Sequence, residues 1–266
     1  MTDIIKKNRG LALSGGGSKG LAHVGALKFF EENDISFDSI AGTSAGAIVG
    51  GLYACGLKSD DILRFFTTTK MFATHHLTFS TKGFIKTDTL RSEFEKFIGT
   101  PKIEDLDVEL KIIASDLISG KIKVFEKGDL IDAILASSAY PGVFIPMEID
   151  NNIYSDGGLV NDFPIDLIHN TVNVSVGISL STVKTIERSE IGNMFDIMSR
   201  SFEIIRRHNR FTKSKMADIY LTPLEDDHLG TFDTSEDILV STYTEGYNYT
   251  KDFFQNDPSY LEKLQG

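Results

Sequence analysis

The chain has 266 residues, 41% of them hydrophobic and 24% charged, with a formal net charge of −11 and one cysteine. That length buries a core without cross-links. The lone Cys55 excludes an internal disulfide and a cysteine zinc cluster, and fits a reducing compartment. The acidic balance excludes bulk electrostatic binding of nucleic acid, and it opposes adsorption to an anionic membrane unless a local basic patch overrides it.

In chain order the pattern alternates strand, turn and helix. Residues 11–14 predict a short buried strand, followed by glycines at 15–17 and a helix over about 19–33. Residues 39–43 predict a second strand, and 45–55 a helix of small residues suited to close packing on a sheet. Strands that end in glycine turns and open into helices predict a parallel sheet. Residues 67–84 are irregular, with apolar anchors, and are read either as a pinned loop or as a mobile apolar flap. A helix over 87–98 comes next, then a hairpin of 108–117 and 121–126 turning at Ser119-Gly120. A short helix over 129–138 is stopped by Pro141. Residues 153–155 form a strand running into Asp156, and 172–180 a strand rich in β-branched residues. From 191 to about 210, apolar residues at Ile191, Met194, Met198, Phe202 and Ile205 predict an amphipathic helix. The cations Arg206, Arg207, Arg210, Lys213 and Lys215 close it. They fit a solvated face complementing the helix dipole, with anionic lipid headgroups as the alternative partner. One domain over 1–266 is expected, with a core at about 11–167 and a helical extension at about 190–266. Residues 1–10 lack the apolar stretch of a secretory signal and no apolar run spans a bilayer, so a cytoplasmic location is expected.

Three motifs carry chemistry. Gly42-Thr43-Ser44-Ala45-Gly46 is a G-x-S-x-G pentapeptide. A serine on a tight strand-to-helix turn adopts a strained backbone, and Gly42 and Gly46 leave the room that turn needs. Alone the pattern is weak, arising by chance in about one chain in ten of this length; a strand before it and a small-residue helix after it raise its weight. Gly15, Gly16, Gly17, Ser18 and Lys19 form a glycine-rich turn whose amides can stabilise an oxyanion, and Lys19 either adds positive field or is a surface residue. The same stretch reads as G-x-G-x-x-G through Gly15, Gly17 and Gly20, the dinucleotide fingerprint, with Asp34 or Asp38 as the ribose acid. The third motif is Asp156-Gly157-Gly158, an aspartate at a strand end followed by two glycines. By itself it is a common turn signal.

Together these motifs resemble the patatin-like phospholipases: a glycine loop at Gly15 to Gly20, GTSAG at Gly42 to Gly46, DGG at Asp156 to Gly158, and an Ala-Ser stretch running from Ala136 to Pro141-Gly142. Lys19 stands where that family commonly has arginine, and Asp162 where it often has asparagine. The resemblance implies a three-layer α/β/α fold with a central, mostly parallel sheet. It also implies hydrolysis of lipid esters through an acyl-Ser44 intermediate. Asp156 is then the base of a Ser–Asp dyad, and the glycine loop is the oxyanion hole. The histidine content agrees: a triad needs a histidine after the aspartate, and His169, His208 and His228 sit in no recognisable motif. A dyad carboxylate benefits from partial desolvation that raises its basicity. No cofactor or metal is expected. The expected partner is a lipid or acyl-ester substrate, met peripherally at the membrane or in solution; nucleic acid is not expected and the oligomeric state stays open. A soluble-substrate esterase or thioesterase, a non-catalytic lipid-binding protein and a dinucleotide-binding protein remain the alternatives.

Overall fold

The computed structural model describes residues 7–69, 77–80, 83–85, 90–180, 185–224 and 235–266. The first half runs β1 (Lys7–Leu13), α1 (Leu21–Glu32), β2 (Ser39–Thr43), α2 (Ala45–Ala54), α3 (Ser59–Thr68), a hairpin of β3 (Leu77–Ser80) and β4 (Gly83–Ile85), α4 (Arg91–Ile98), β5 (Glu109–Asp116) and β6 (Ile122–Phe125). Then follow α5 (Leu130–Ser137), β7 (Met147–Ile149), β8 (Asn152–Asp156), β9 (Val172–Ile178), α6 (Met194–Lys213), β10 (Ile219–Leu221), α7 (Glu236–Asn256) and α8 (Ser259–Gln265).

Alternation along the strands decides the layers. Leu11, Leu13, Ile40, Leu110, Ile112 and Ala114 join the larger core, while their neighbours Ala12, Ala41 and Ile113 join a smaller one with Phe163, Ile165 and Ile168. Both faces of the central strands are buried, which is why the strands read as near-continuous apolar runs. The sheet is mixed, with helices on both sides.

Strands β10, β9, β1, β2 and β5 lie side by side, all parallel. At β5 the order branches. Ile113 pairs with Val124 of β6 and with Thr43 of β2; Ala114 pairs with Lys123 of β6 and with Asp156 of β8. A strand has only two edges, so β6 takes one, while β2 and β8 share the other end to end. β2 runs parallel to β5 and β8 antiparallel. Their C-terminal residues therefore meet at one point on β5.

The expected hairpin turns at Gly120, with φ 69°, and Asp129 caps α5 by accepting from the Asp132 amide. Of the irregular stretch 67–84, residues 70–76 and 81–82 lie outside the described residues. The rest holds the end of α3 and the antiparallel pair β3–β4. Gly83 and Ile85 abut residues 143–145: the Ile85 amide donates to Val143 O at 3.0 Å, and the Ile145 amide donates to Ile85 O at 2.9 Å.

Two expectations for the C-terminal third are corrected. First, one strand interrupts the helical run expected over 190–266: Ile219 pairs with Val176 and extends the sheet. Three residues are too few to show a period. Second, α6 begins at Met194, with Asn193 accepting from the Phe195 and Asp196 amides, and its apolar stripe does not face the core. Of the five residues in that stripe only Phe202 is buried, and Met194 is 85% exposed. The inward face is instead Phe202, Arg206 and Arg210 at four-residue spacing, all buried. The solvated-face reading is wrong for those two arginines.

Helix α7 packs on α1 at paired glycines. A Cβ on Gly246 would lie 2.3 Å from Ala22 O, and one on Gly25 would lie 2.0 Å from Tyr243 O. Both obstacles are backbone, so neither can swing aside. Helix propensity alone favours alanine by about 1 kcal/mol, but a clash this close against immovable backbone puts overpacking at the upper end of its range, about 2–3 kcal/mol, and opposes it. Gly246→Ala is expected to destabilise the fold by about 1–2 kcal/mol, read from the urea midpoint. An unchanged or higher midpoint contradicts this crossing.

Candidate active site

The meeting of β2 and β8 brings Ser44 and Asp156 together across 112 residues of sequence: Ser44 Oγ donates to Asp156 Oδ2 at 2.7 Å. Ser44 is the residue between β2 and α2, with φ 54° and ψ −119°. A non-glycine residue in such a region stores about 1–3 kcal/mol of strain. Packing enforces it: a Cβ at Gly42 would sit 2.4 Å from Gly46 O, and one at Gly46 only 2.2 Å from Leu13 O. The Ser44 amide donates to Ser137 Oγ at 2.8 Å, and Ser137 Oγ donates to Ile113 O at 2.5 Å. Ser138 Oγ donates to Ser44 O at 3.4 Å. The Ala-Ser stretch thus braces the serine turn from behind.

Asp156 is fully buried. Its Oδ1 accepts from the Gly158 amide at 2.7 Å, its own amide donates to Ala139 O at 3.0 Å, and its carbonyl accepts from Ser115 Oγ at 2.7 Å. Burial pushes its carboxyl up to about 6, against the pull of Arg206, the Ser44 hydroxyl and the Gly158 amide. Such a carboxylate is ionised at neutral pH and more basic than an exposed one.

The glycine loop follows β1 on the same side of the sheet. Its first amide is occupied, since Gly15 N donates to Asp162 O at 3.1 Å. Gly16 is buried, and Gly17 opens a short 3-10 turn, Gly17–Gly20, with φ 63°. Ser18 is buried and Lys19 half-buried on that turn. His23 donates through Nε2 to Ser14 O at 2.8 Å, and burial lowers it to about 4, so it is neutral and a brace for the loop.

Beneath the loop lies an ion cluster that the sequence did not reveal. Fully buried Asp162 accepts from Arg206 Nε through Oδ1 and from Arg210 Nε through Oδ2. Arg210 Nη2 also donates to Gly15 O at 3.0 Å. Arg206 Nη2 is buried and has no hydrogen-bond partner among the described residues, and a Cβ on Gly15 would come within 2.4 Å of it. Burial opposes charge on Asp162, yet the two guanidinium groups hold its carboxyl below the usual range. At the end of α6, Lys213 Nζ donates to Asn161 Oδ1 and Asp166 Oδ1, both at 2.7 Å. The carboxylate at 162, where the resembling family often has asparagine, comes with its own two cations.

Two sequence readings are weakened by placement. Asp38 sits at the N-terminal end of β2, its Oδ2 accepting from the Arg9 amide at 3.0 Å. Asp34 precedes it. Both lie at the opposite end of β2 from the glycine loop, whereas ligands of open α/β sheets bind at strand C-termini. Among the described residues no histidine bonds to Ser44 or Asp156; His169 contacts Ile165 O instead, and His208 is exposed. His228, His75 and His76 lie outside the described residues.

These features define a class: an α/β protein presenting a strained serine at a strand-to-helix turn, bonded to a buried carboxylate, beside a glycine loop. Residues 11–169 match the family model of the patatin-like phospholipases. The chain belongs to the patatin-like phospholipase family. An uncharacterized NTE family protein of Mycobacterium bovis is 33% identical over 174 residues, 64% of this chain and 48% of its own. The lysophospholipase NTE1 of Candida albicans is 27% identical over 213 residues, 76% of this chain and 15% of its own. The chain thus spans about half the length of the mycobacterial relative. Among solved structures, VipD from Legionella pneumophila aligns over 94% of this chain and 67% of its own, with a TM-score of 0.52 at 14% identity; that likeness concerns the fold.

Proposed function

We propose that this chain is a serine lipid acyl hydrolase acting on phospholipid or lysophospholipid esters through Ser44 and Asp156. The observation that carries it is the 2.7 Å bond between a strained serine at the start of α2 and a buried carboxylate raised to about 6. As Ser44 Oγ attacks the ester carbonyl carbon, Asp156 takes the hydroxyl proton. The carbonyl oxygen becomes an oxyanion facing the Gly16 and Gly17 amides, with Lys19 adding positive field. Gly15 contributes shape, its own amide being bonded to Asp162 O. Collapse of the intermediate breaks the bond to the alcohol, which receives the proton from Asp156, leaving acyl-Ser44. Water, deprotonated by Asp156, then releases the acid and returns the proton to Ser44.

The lipid substrate rests on the family and on the relative named a lysophospholipase. Its test is a lipid screen of wild type against Ser44→Ala, with fluorophosphonate labelling. Release of fatty acid from phospholipid or lysophospholipid by wild type alone, with labelling lost in Ser44→Ala, is the expected result. Turnover confined to short soluble esters would make it a general esterase. A folded wild type that is never labelled would make it a non-catalytic binder.

A further inference from the structure

Two consecutive peptides at the start of the glycine loop are held differently. The Ser14–Gly15 peptide is bonded at both ends: His23 Nε2 donates to its oxygen at 2.8 Å, and its Gly15 amide donates to Asp162 O at 3.1 Å. The Gly15–Gly16 peptide is bonded at its oxygen alone. Gly15 O accepts from Arg210 Nη2 and from Ser14 Oγ, both at 3.0 Å. Ser14 Oγ accepts in turn from the Leu180 amide at 3.0 Å. Gly16 is buried, yet its amide has no acceptor among the described residues. Buried backbone donors are nearly always paired, so one left open calls for an explanation.

We infer that Arg210 is a positioning residue of the oxyanion hole: by holding the Gly15 carbonyl it aims the Gly16 amide at the substrate oxygen. The inference rests on the hydrolase reading above. In a planar trans peptide the C=O and N–H bonds point in opposite directions. Two donors on the carbonyl therefore fix the heading of the amide, which points away from the ion cluster. Two adjoining glycines have no side chains to hold that heading themselves, and their backbone is otherwise free to turn. Charge acts beside geometry. A guanidinium on the carbonyl oxygen polarises the peptide and strengthens its N–H as a donor, the more so in a buried, low-dielectric setting.

Arg210 is itself fixed. It is 5% exposed, and its Nε is bonded to Asp162 Oδ2. One guanidinium thus ties the carboxylate of Asp162 to the carbonyl of Gly15, while the carbonyl of Asp162 takes the Gly15 amide. Arg206 holds the other carboxylate oxygen, so Asp162 keeps a cation if Arg210 is lost. Arg210 lies on α6, beyond the stretch 11–169 that matches the family model. The loop therefore takes this support from the C-terminal third of the chain.

The experiment compares the full wild-type chain with Arg210→Met on a soluble p-nitrophenyl ester at about pH 8, above the acid limb expected from Asp156. Turnover is expressed per site labelled to completion by a fluorophosphonate, so that only folded sites count. Arg210→Met should lower kcat about 10- to 100-fold with KM within about twofold, where losing an oxyanion donor outright costs about 10²–10³-fold. Affinity for a trifluoromethyl ketone, which forms a tetrahedral oxyanion adduct with Ser44, should fall by the same factor. A merely structural role would lower the urea midpoint and the number of labelled sites, but leave kcat per site and ketone affinity at wild-type values; that result overturns the inference. So does a loss confined to KM. If Arg210→Met does not fold, Arg210→Lys takes its place and is judged by the same outcomes, since lysine keeps a cation for Asp162 without the fork that reaches Asp162 and Gly15 together. A wild type that turns over no ester overturns the hydrolase reading and this inference with it. Wild-type turnover beside an unaffected Arg210→Met overturns the inference alone.

Discussion

Asp156→Asn is expected to lower kcat/KM for carboxylic esters by about 10⁴-fold, and Ser44→Ala by at least as much, each with the fold retained. The amide keeps the shape of the carboxylate and can still contact Ser44, but it cannot take a proton. Residual turnover then comes from substrate binding and the glycine-loop amides. The pH profile gives the same claim a second readout. In the proposed dyad Asp156 acts as its carboxylate, and burial raises it to about 6, so kcat/KM should be flat above about pH 7 and fall as the pH drops through 6. That limb should be absent from the residual rate of Asp156→Asn. Near-normal activity in Asp156→Asn together with loss in His169→Ala would end the dyad reading. The raised value also has a stability sign. The folded state binds the proton more tightly than the unfolded chain, so this group disfavours folding above about pH 6, by about 3 kcal/mol. The penalty is relieved as the pH falls toward 4. Asp156→Asn should therefore gain stability at neutral pH while losing function, a combination that separates a catalytic carboxylate from a structural one.

The second large effect belongs to Asp162. Asp162→Ala leaves the Arg206 and Arg210 guanidinium groups buried without their carboxylate, and removing one partner of such a cluster costs about 3–5 kcal/mol. Replacing all three residues together by apolar ones of similar volume should recover most of that loss in urea unfolding. If Asp162→Ala alone unfolds within about 0.5 kcal/mol of wild type, the cluster is not the clamp described here. Arg206→Met addresses function instead. The guanidinium of Arg206 favours the ionised form of Asp156, so its loss should move the acid limb of kcat/KM to higher pH. An unmoved limb would mean that Arg206 serves packing only.

Some of this was legible because its constraints are local. The Ser44 turn needs two side-chain-free neighbours, and Gly42 and Gly46 declare it within five residues. The hairpin at Gly120 and the capped start of α5 are similarly self-contained. What could not be read is set by partners distant in sequence. Arg206 and Arg210 at the basic end of a helix look like a solvated complement to its dipole; their partner Asp162 lies 44 and 48 residues away. The same holds for the facing of α6. The stripe through Met194, Met198 and Ile205 shows that the helix is amphipathic, but the inward face is chosen by an ion cluster and one phenylalanine. β10 has three residues and shows its nature only beside β9. The Gly25–Gly246 crossing has no local signature at all.

Because β2 and β8 abut on a single edge of β5, no hinge lies between the two residues that touch at 2.7 Å. Separating their backbones would mean unzipping a ladder at the centre of the sheet. What the sheet leaves free is the Ser44 side chain, whose rotation about χ1 can make or break the contact without disturbing a strand, while the two backbones are set side by side from the moment the sheet closes.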